Sequence, residues 1–414
     1  MENLAARLRR IRQTGGRRET QTAESGGGVP PGTGSASNVF PLSAGTMEGW
    51  VHLGHQTLKR TLQGSIDFPL SFPPSLPVLV PDLGRCENPR PEDLLFLDLE
   101  TTGLSGGAGT VAFLAAFARI VPGNPALLLT VQYLLLDYPG ESDFLEALLG
   151  EFKRDGKKPV VVSYNGKSFD AQILKTRCLM NGLFPPDFYH ADLLHPSRRL
   201  WKMIPGGCSQ GEIERSVLGI DRSDDTPGAL APDIWFHFLK TGETQALEGI
   251  CDHNFRDVRG LASIFSVLAR IAEDPEGAGE YRADPEQLAL IWRRTGMRNG
   301  AAGVSETAER LLAAAAVRGC PRALFLRSRD LFVRGRDEEG RALLFRLVRG
   351  QYEACMRLPA LRMLAVDAEW RLGDAGKALS FTEEALALGD MSSGLRAEME
   401  KRKKRLVKKA ETGG

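Results

Sequence analysis

Apolar residues are spaced in two different ways along this chain, and the change from one to the other outlines its organisation. Over residues 94–99, 110–120, 127–136 and 159–164 they run almost unbroken for the length of a strand, bounded by Gly, Pro and Asp. Such runs predict strands buried on both faces. Residues 141–153, 169–181 and 246–272 instead repeat at helical spacing, with Val258, Leu261, Phe265 and Leu268 on one face of the last. Three strands joined by tight turns, one of them the Gly-rich 105–109, then a strand and a helix, predict an α/β domain with a mixed sheet.

Beyond about Pro275 the strand signals stop, and Ala, Leu, Arg and Glu recur at helical periods broken by Gly and Pro. This predicts a separate all-α domain. Leu372-Gly373-Asp374 followed by Ala378, Ala385 and Leu386 resembles the turn and second helix of a tetratricopeptide repeat, where small residues let paired helices approach, although any helical bundle can carry the same trace. Upstream, residues 14–38 are Gly, Ser, Thr, Pro and charge, with almost nothing to bury. Residues 51–91 are Pro-rich and weakly strand-like, with Phe68, Leu70 and Phe72 at alternate positions. Four segments follow: 1–47 disordered or weakly ordered, 48–91 a Pro-rich lead-in, 92–274 the α/β domain, and 275–414 helical with a basic tail.

Composition narrows the class. With 42% hydrophobic and 25% charged residues and a net charge of +1, the chain is globular, and any nucleic acid it binds should sit in a local cleft rather than across a basic face. Its six cysteines form no CxxC pair, which points away from a disulfide framework or structural zinc and towards a reducing cytoplasm. No apolar stretch is long enough for a membrane span, so a soluble, cytoplasmic protein without a membrane partner is expected.

The chemistry lies in carboxylates. Asp98 and Glu100 end the first predicted strand, and its period of two sets both on one face with Leu99 on the other. Side by side and partly buried, they repel unless a cation intervenes, and Mg²⁺ or Mn²⁺ prefer such oxygen ligands. An isolated Asp-x-Glu can equally cap an exposed turn. Asp170 opens a helix just past a strand and the turn Asn165-Gly166-Lys167. Were that strand parallel to the first, the carboxyl ends would converge; alone, Asp170 reads as a first-turn acid complementing the helix dipole. His253 and Asp257 stand one turn apart on the long helix, a spacing shared with ordinary surface ion pairs. In combination, four such carboxylates can hold two metal ions roughly 4 Å apart, one activating water and one stabilising the leaving oxygen of a phosphoryl displacement.

The residues also carry a resemblance. Phe96-Leu97-Asp98-Leu99-Glu100-Thr101-Thr102-Gly103-Leu104, Tyr164-Asn165-Gly166-Lys167-Ser168-Phe169-Asp170 and His253-Asn254-Phe255-Arg256-Asp257-Val258 resemble the three motifs of the DEDD exonuclease superfamily, whose fold is ribonuclease H-like. Asp192-Leu193-Leu194-His195, Arg198-Arg199-Leu200-Trp201, Cys208-Ser209, Pro227-Gly228 and residues 236–242 resemble more closely the YprB-like ribonuclease H-like domain, often followed by tetratricopeptide-type helices. The resemblance spans roughly residues 92–272. It implies a phosphodiester hydrolase that removes nucleotides from the 3′ end of single-stranded RNA or DNA. Asp98, Glu100, Asp170 and Asp257 would be ligands of two Mg²⁺ or Mn²⁺ ions, His253 catalytic, and Thr102, Leu104 and Asn165 at the substrate. The superfamily places a Tyr four residues before the last Asp or a His five before it, whereas His253 stands at the Tyr spacing. The helical domain would bind a protein partner or guide substrate. The rival readings are a structure-specific endonuclease on the same fold, or a nucleic-acid- or protein-binding module with a slow site.

Other motifs have plainer readings. Gly207-Cys208-Ser209-Gln210-Gly211 imitates a nucleophile elbow but lacks its strand, and Ser209 with Glu212 predicts a capping box ahead of a helix at 213–218. Gly166-Lys167-Ser168 lacks the opening glycine of a P-loop. His190 and His195 have no metal partner at zinc spacing and read as loop and helix surface. Arg198, Arg199, Trp201 and Lys202, and the run 401–409, are candidates for contacting phosphate and stacking a base, or else solvated helix faces.

Overall fold

A computed structural model describes residues 47–411 apart from 55, 104–106, 108, 154–156, 300, 301 and 390. The expectation for residues 1–46 and for Leu104 lies outside the described residues. The chain divides into two compact units, one ending at Glu273 and the other starting at Asp274.

The first unit is built on one seven-stranded sheet: β1 (Trp50–Gly54), β2 (Thr57–Ile66), β3 (Leu94–Thr101), β4 (Ala112–Val121), β5 (Ala126–Leu135), β6 (Val160–Ser163) and β7 (Tyr189–Asp192), in the order β1-β2-β5-β4-β3-β6-β7. The first five are antiparallel to their neighbours, while β6 runs parallel to both β3 and β7. β3 therefore shares a direction with β6, and their carboxyl ends lie side by side. This is the mixed sheet with flanking helices, followed by a run of helices, that the pattern predicts.

Alternation along β3 assigns its two faces. Leu95, Leu97 and Leu99 join a core with Phe144, Leu145 and Leu148 of α1 (Glu141–Gly150), Ile173, Leu174 and Cys178 of α2 (Asp170–Met180), and Trp235 and Phe238 of α5 (Ala231–Thr241). Between them come α3 (Leu194–Leu200) and the single-turn α4 (Gln210–Ile213). The other face, with Phe96, Asp98 and Glu100, lies under α6 (Gln245–Glu273), whose Phe265 packs edge-on against Phe96 at 6.1 Å between ring centroids. The long helix is amphipathic because it covers this face, burying Val258, Leu261, Phe265 and Leu268.

Several expectations are corrected. The segment 48–91 supplies β1 and β2 and so belongs to the sheet; β2 pairs with β5 over its whole length. Its polar, alternating sequence fits an outer strand better than a buried one, and so gave little apolar signal. The strand-like alternation at Phe68, Leu70 and Phe72 is not a strand: Phe68 stacks on Phe265 at 5.9 Å, whereas Leu70 is exposed. The edge strand β7 and the helix α3 had no clear periodic signal, being four and seven residues long.

The second unit is a run of helices: α7 (Pro285–Asn299), α8 (Ala302–Val317), α9 (Pro321–Val333), α10 (Asp337–Arg349), α11 (Ala354–Trp370), α12 (Ala375–Ala387) and α13 (Ser393–Glu411). At the α11–α12 turn, Gly373 takes φ +66°, a left-handed conformation that costs glycine little. Asp374 then caps α12 by accepting the Lys377 amide N–H at 2.8 Å. Ala368, Ala375 and Ala378 pack around Leu406, so small side chains allow the close helix approach. Among the described residues no helix is long and apolar enough to cross a membrane.

Candidate active site

Asp98 and Glu100 sit at the carboxyl end of β3, where the register with β4 shifts between Glu100 and Thr101. Such an irregularity re-aims side chains at a strand end. The face they share is closed by α6, from which Asn254 reaches down: its Nδ2 donates to Asp98 Oδ2 at 2.6 Å. Asn254 is fully buried and oriented in turn, since Gln132 Nε2 on β5 donates to its Oδ1 at 2.9 Å. Arg60 on β2 donates to Gln132 Oε1 through Nε at 2.9 Å and Nη2 at 2.6 Å. Three residues with no assigned role in the sequence thus form a relay that fixes one carboxylate.

His253 is adjacent to Asn254 and turns towards the site. Its Nε2 lies 3.8 Å from Glu100 Oε1 and 3.4 Å from Asp257 Oδ2, while its Nδ1 pairs with Asp225 Oδ2 at 2.9 Å. Glu100, His253 and Asp257 each offer a ligand atom within 4.8 Å of the others. Gly228 leaves the room, because a Cβ there would stand 2.7 Å from His253 Nε2.

Asp170 is the first residue of α2, and the turn before it is tightly specified. The buried carboxylate of Asp192, at the end of β7, accepts the amide N–H groups of Asn165 at 2.8 Å, Lys167 at 3.1 Å and Leu194 at 3.0 Å. Asn165 takes a left-handed φ of +66°, which Asn tolerates better than most residues. Gly166 admits no side chain: a Cβ would meet Ser163 Oγ at 2.4 Å and Asp170 Oδ2 at 2.7 Å. The predicted turn thus serves as a mount for Asp170.

A second layer comes from residues 210–225. The helix predicted at 213–218 starts at Gln210 and passes into a π-helical turn, Glu214–Leu218. Ser209 Oγ accepts the Glu212 amide N–H at 3.3 Å, but the Glu212 carboxylate is taken by Arg215 and Ser216, so only half of the expected capping box forms. Fully buried Glu214 pairs with Arg222 at 2.6 Å, and the same guanidinium contacts Asp257 and Asp225. Gln210 Nε2 donates to the Asp257 carbonyl at 2.7 Å. Arg222 and Asp225 were not legible as site residues because they lie in a short polar loop without periodicity.

The electrostatics follow from crowding acids away from water. Burial, with the charge of Asp257, pushes Asp98 up to about 7, partly offset by the hydrogen bond from Asn254. Burial and the neighbouring Asp98 and Asp257 carboxylates hold Glu100 well above its usual range, and burial with Asp98 does the same for Asp170. Burial alone would lower His253, but the Asp225 hydrogen bond and the Asp257 charge outweigh it and raise the imidazole. A set of oxygen donors that raise one another's pKa is the donor chemistry that Mg²⁺ or Mn²⁺ satisfies, and the residues present fit such ions.

Other expected residues are placed as follows. Thr102 Oγ1 accepts the Val111 amide N–H at 3.0 Å. His190 is on β7 rather than a loop, half-buried, with its Nε2 2.7 Å from Ser163 Oγ. Trp201 is 1% exposed and packed in the core, so the expected stacking surface with Arg198 and Arg199 is absent there.

Residues 95–269 match the RNase_H_2 family, described as the RNase_H superfamily. Over 181 residues, 43% of this chain and 42% of the relative, the sequence is 42% identical to the uncharacterized protein YprB of Bacillus subtilis (strain 168). The chain thus spans less than half the length of the curated relative it matches. Among solved structures it is similar to an ExoI/SSB-Ct complex at 16% identity and TM-score 0.29, over 44% of this chain and 42% of that one. It is also similar to the zinc-bound E. coli ExoI–ssDNA complex at 16% identity and TM-score 0.23, over 45% and 42%. The mixed sheet, its α6 cover and the sequence match together make residues 95–269 a domain of the RNase H superfamily.

Proposed function

We propose that this chain is a metal-dependent 3′–5′ exonuclease acting on single-stranded RNA or DNA, with Asp98, Glu100, Asp170 and Asp257 as metal ligands. The observation that carries the reading is the meeting of Glu100, His253 and Asp257 under α6, beside Asp98. A bound pair of Mg²⁺ or Mn²⁺ ions would supply charge to acidify a water and to stabilise the departing oxygen. The residues themselves supply position and a proton acceptor. Asn254 holds Asp98 in one orientation, and Asp225 fixes His253 so that Nε2 faces the acids. Nε2 accepts the proton of a water whose oxygen attacks phosphorus, and the P–O3′ bond breaks to leave a 3′-hydroxyl on the shortened strand and a 5′-phosphate on the released nucleotide. The carboxylates that raise the imidazole pKa also make it a stronger acceptor. Asn165, Thr102 and Leu104 would contact the terminal nucleotide.

The test is single-turnover cleavage of 5′-labelled single-stranded RNA and DNA with Mg²⁺ or Mn²⁺, native chain against Asp98→Asn. A ladder shortening from the 3′ end, lost in the variant, is expected. Discrete internal fragments would replace the exonuclease with an endonuclease, and no cleavage by a folded, metal-binding chain would overturn the enzyme reading.

A further inference from the structure

The helical unit carries a surface that the proposed hydrolysis does not use. Trp370, the last residue of α11, is 69% exposed, the opposite of a core tryptophan. Two cations of α13 approach its indole, Arg405 Cζ and Lys409 Nζ, each 6.0 Å from the ring centroid. Beneath them, buried Glu369 accepts from Arg402 Nη1 at 2.5 Å and from Arg405 Nε at 2.9 Å, pinning α13 to the end of α11. The indole and the basic helix are therefore held in one fixed arrangement.

Residues 396–409 contain eight Lys and Arg against two Glu. Lys401, Lys404, Arg405 and Lys408 are exposed, and Lys401, Arg405 and Lys408 recur at i, i+4 and i+7, along one side of the helix. A ladder of cations one turn apart, ending beside an exposed aromatic plane, needs a partner with repeating negative charge and a flat apolar group. A single-stranded nucleic acid has both, since phosphates repeat along its backbone and its unpaired bases stack on aromatic rings. Trp370 is thereby available for the stacking that buried Trp201 cannot provide.

We infer that Trp370 with Lys401, Arg405, Lys408 and Lys409 is a binding surface for single-stranded nucleic acid on the helical unit, separate from the carboxylate site. The inference goes beyond the hydrolytic reading and does not depend on it.

The test uses the full chain in EDTA, which prevents metal-dependent cleavage, and 5′-fluorescein 20-mers of thymidine and of uridine read by anisotropy between 50 and 200 mM salt. Trp370→Ala is expected to weaken binding about tenfold, and Trp370→Phe to restore most of it. Lys401→Glu with Lys408→Glu should flatten the slope of log affinity against log salt by about one. Asp98→Asn should bind as the native chain does. Unchanged affinity and salt slope in the Trp370 and lysine variants would overturn the surface, as would no binding by the native chain, which would leave Trp370 to a protein partner. Crosslinking of a 5-iodouridine 20-mer to the native chain keeps the test independent of variant folding; the crosslinked peptide should contain Trp370 or residues 401–409, and a crosslink confined to the first unit would sink the inference. A chain that cleaves nothing but loses binding in Trp370→Ala would keep this surface and lose the nuclease reading.

Discussion

Asn254 Nδ2 donates to Asp98 Oδ2 at 2.6 Å, so a neutral amide on α6 sets the orientation of a β3 carboxylate. The amide is polarised from behind by Gln132 and Arg60, which leaves its donor end no other partner of comparable geometry. Supporting residues of this kind typically contribute ten- to a hundredfold in metal affinity. Asn254→Ala is therefore expected to weaken Mn²⁺ binding by about tenfold or more, measured by calorimetry, and Gln132→Leu to weaken it in the same direction by less. Native affinity in Asn254→Ala would show that the amide does not position Asp98.

Metal uptake should depend on pH in a defined sense. Asp98 titrates at about 7 and Glu100 above its usual range, because burial and like charges favour the protonated forms. Protons then compete with the ion, so Mn²⁺ affinity should rise as pH increases through 7 and flatten once the acids are ionised. Asp98→Asn removes one competing proton along with one ligand, and its affinity should be lower and flatter across pH 6 to 8.

His253 has its space because Gly228 has no side chain. Gly228→Ala places a methyl 2.7 Å from Nε2, forcing the ring to turn. The expected result is a cleavage rate lowered about a hundredfold, near that of His253→Ala, with Mn²⁺ affinity changed less than threefold in both. Equal loss of metal binding would make His253 a ligand rather than a proton acceptor.

The Arg222 guanidinium neutralises Glu214, which is 0% exposed. Arg222→Met strands that carboxylate, and urea unfolding should show a loss of about 3 kcal/mol at pH 8. Glu214 already titrates near 7 because burial outweighs the arginine, so removing the arginine raises it further and lets it protonate at pH 6. The destabilisation should then be smaller at pH 6 than at pH 8.

His190 gives the opposite kind of titration. Burial lowers its pKa to about 4, and the neutral ring accepts a proton from the Ser163 hydroxyl. An unfolded chain, with a pKa near 6.5, binds that proton more readily, so the contribution of His190 to stability is complete above about pH 6.5 and declines as pH falls towards 4. Unfolding midpoints of native and His190→Gln chains should converge between pH 7 and pH 4.5.

Much of this was legible in order and spacing. The alternation that put Asp98 and Glu100 on one face of a strand with Leu99 on the other is the arrangement β3 adopts, and one turn of α6 does bring His253 beside Asp257. What the spacing did not show was the residues that act through partners far away. Arg60 lies in a polar outer strand, Gln132 is one polar residue in an apolar run, and Asn254 looked like a spacer in His253-Asn254-Phe255. Arg222 and Asp225 are visible only once the loop folds onto α6. Trp201 shows the converse: beside Arg198, Arg199 and Lys202 it looked like a surface residue, but only helix geometry decides which of neighbouring residues points inward.

The relay from β2 to α6 also bears on how the domain is made. Asp98 and Asn254 are 156 residues apart in sequence, and Arg60 and Gln132 are 72 apart. Contacts of such long separation form late, after the local hairpins. During synthesis the β3–β4–β5 meander can therefore assemble before α6 has left the ribosome, with Asp98 and Glu100 still hydrated and unaligned. The last helix of the domain is what converts that sheet into a site, so a chain truncated before residue 245 should be not merely less stable but chemically silent.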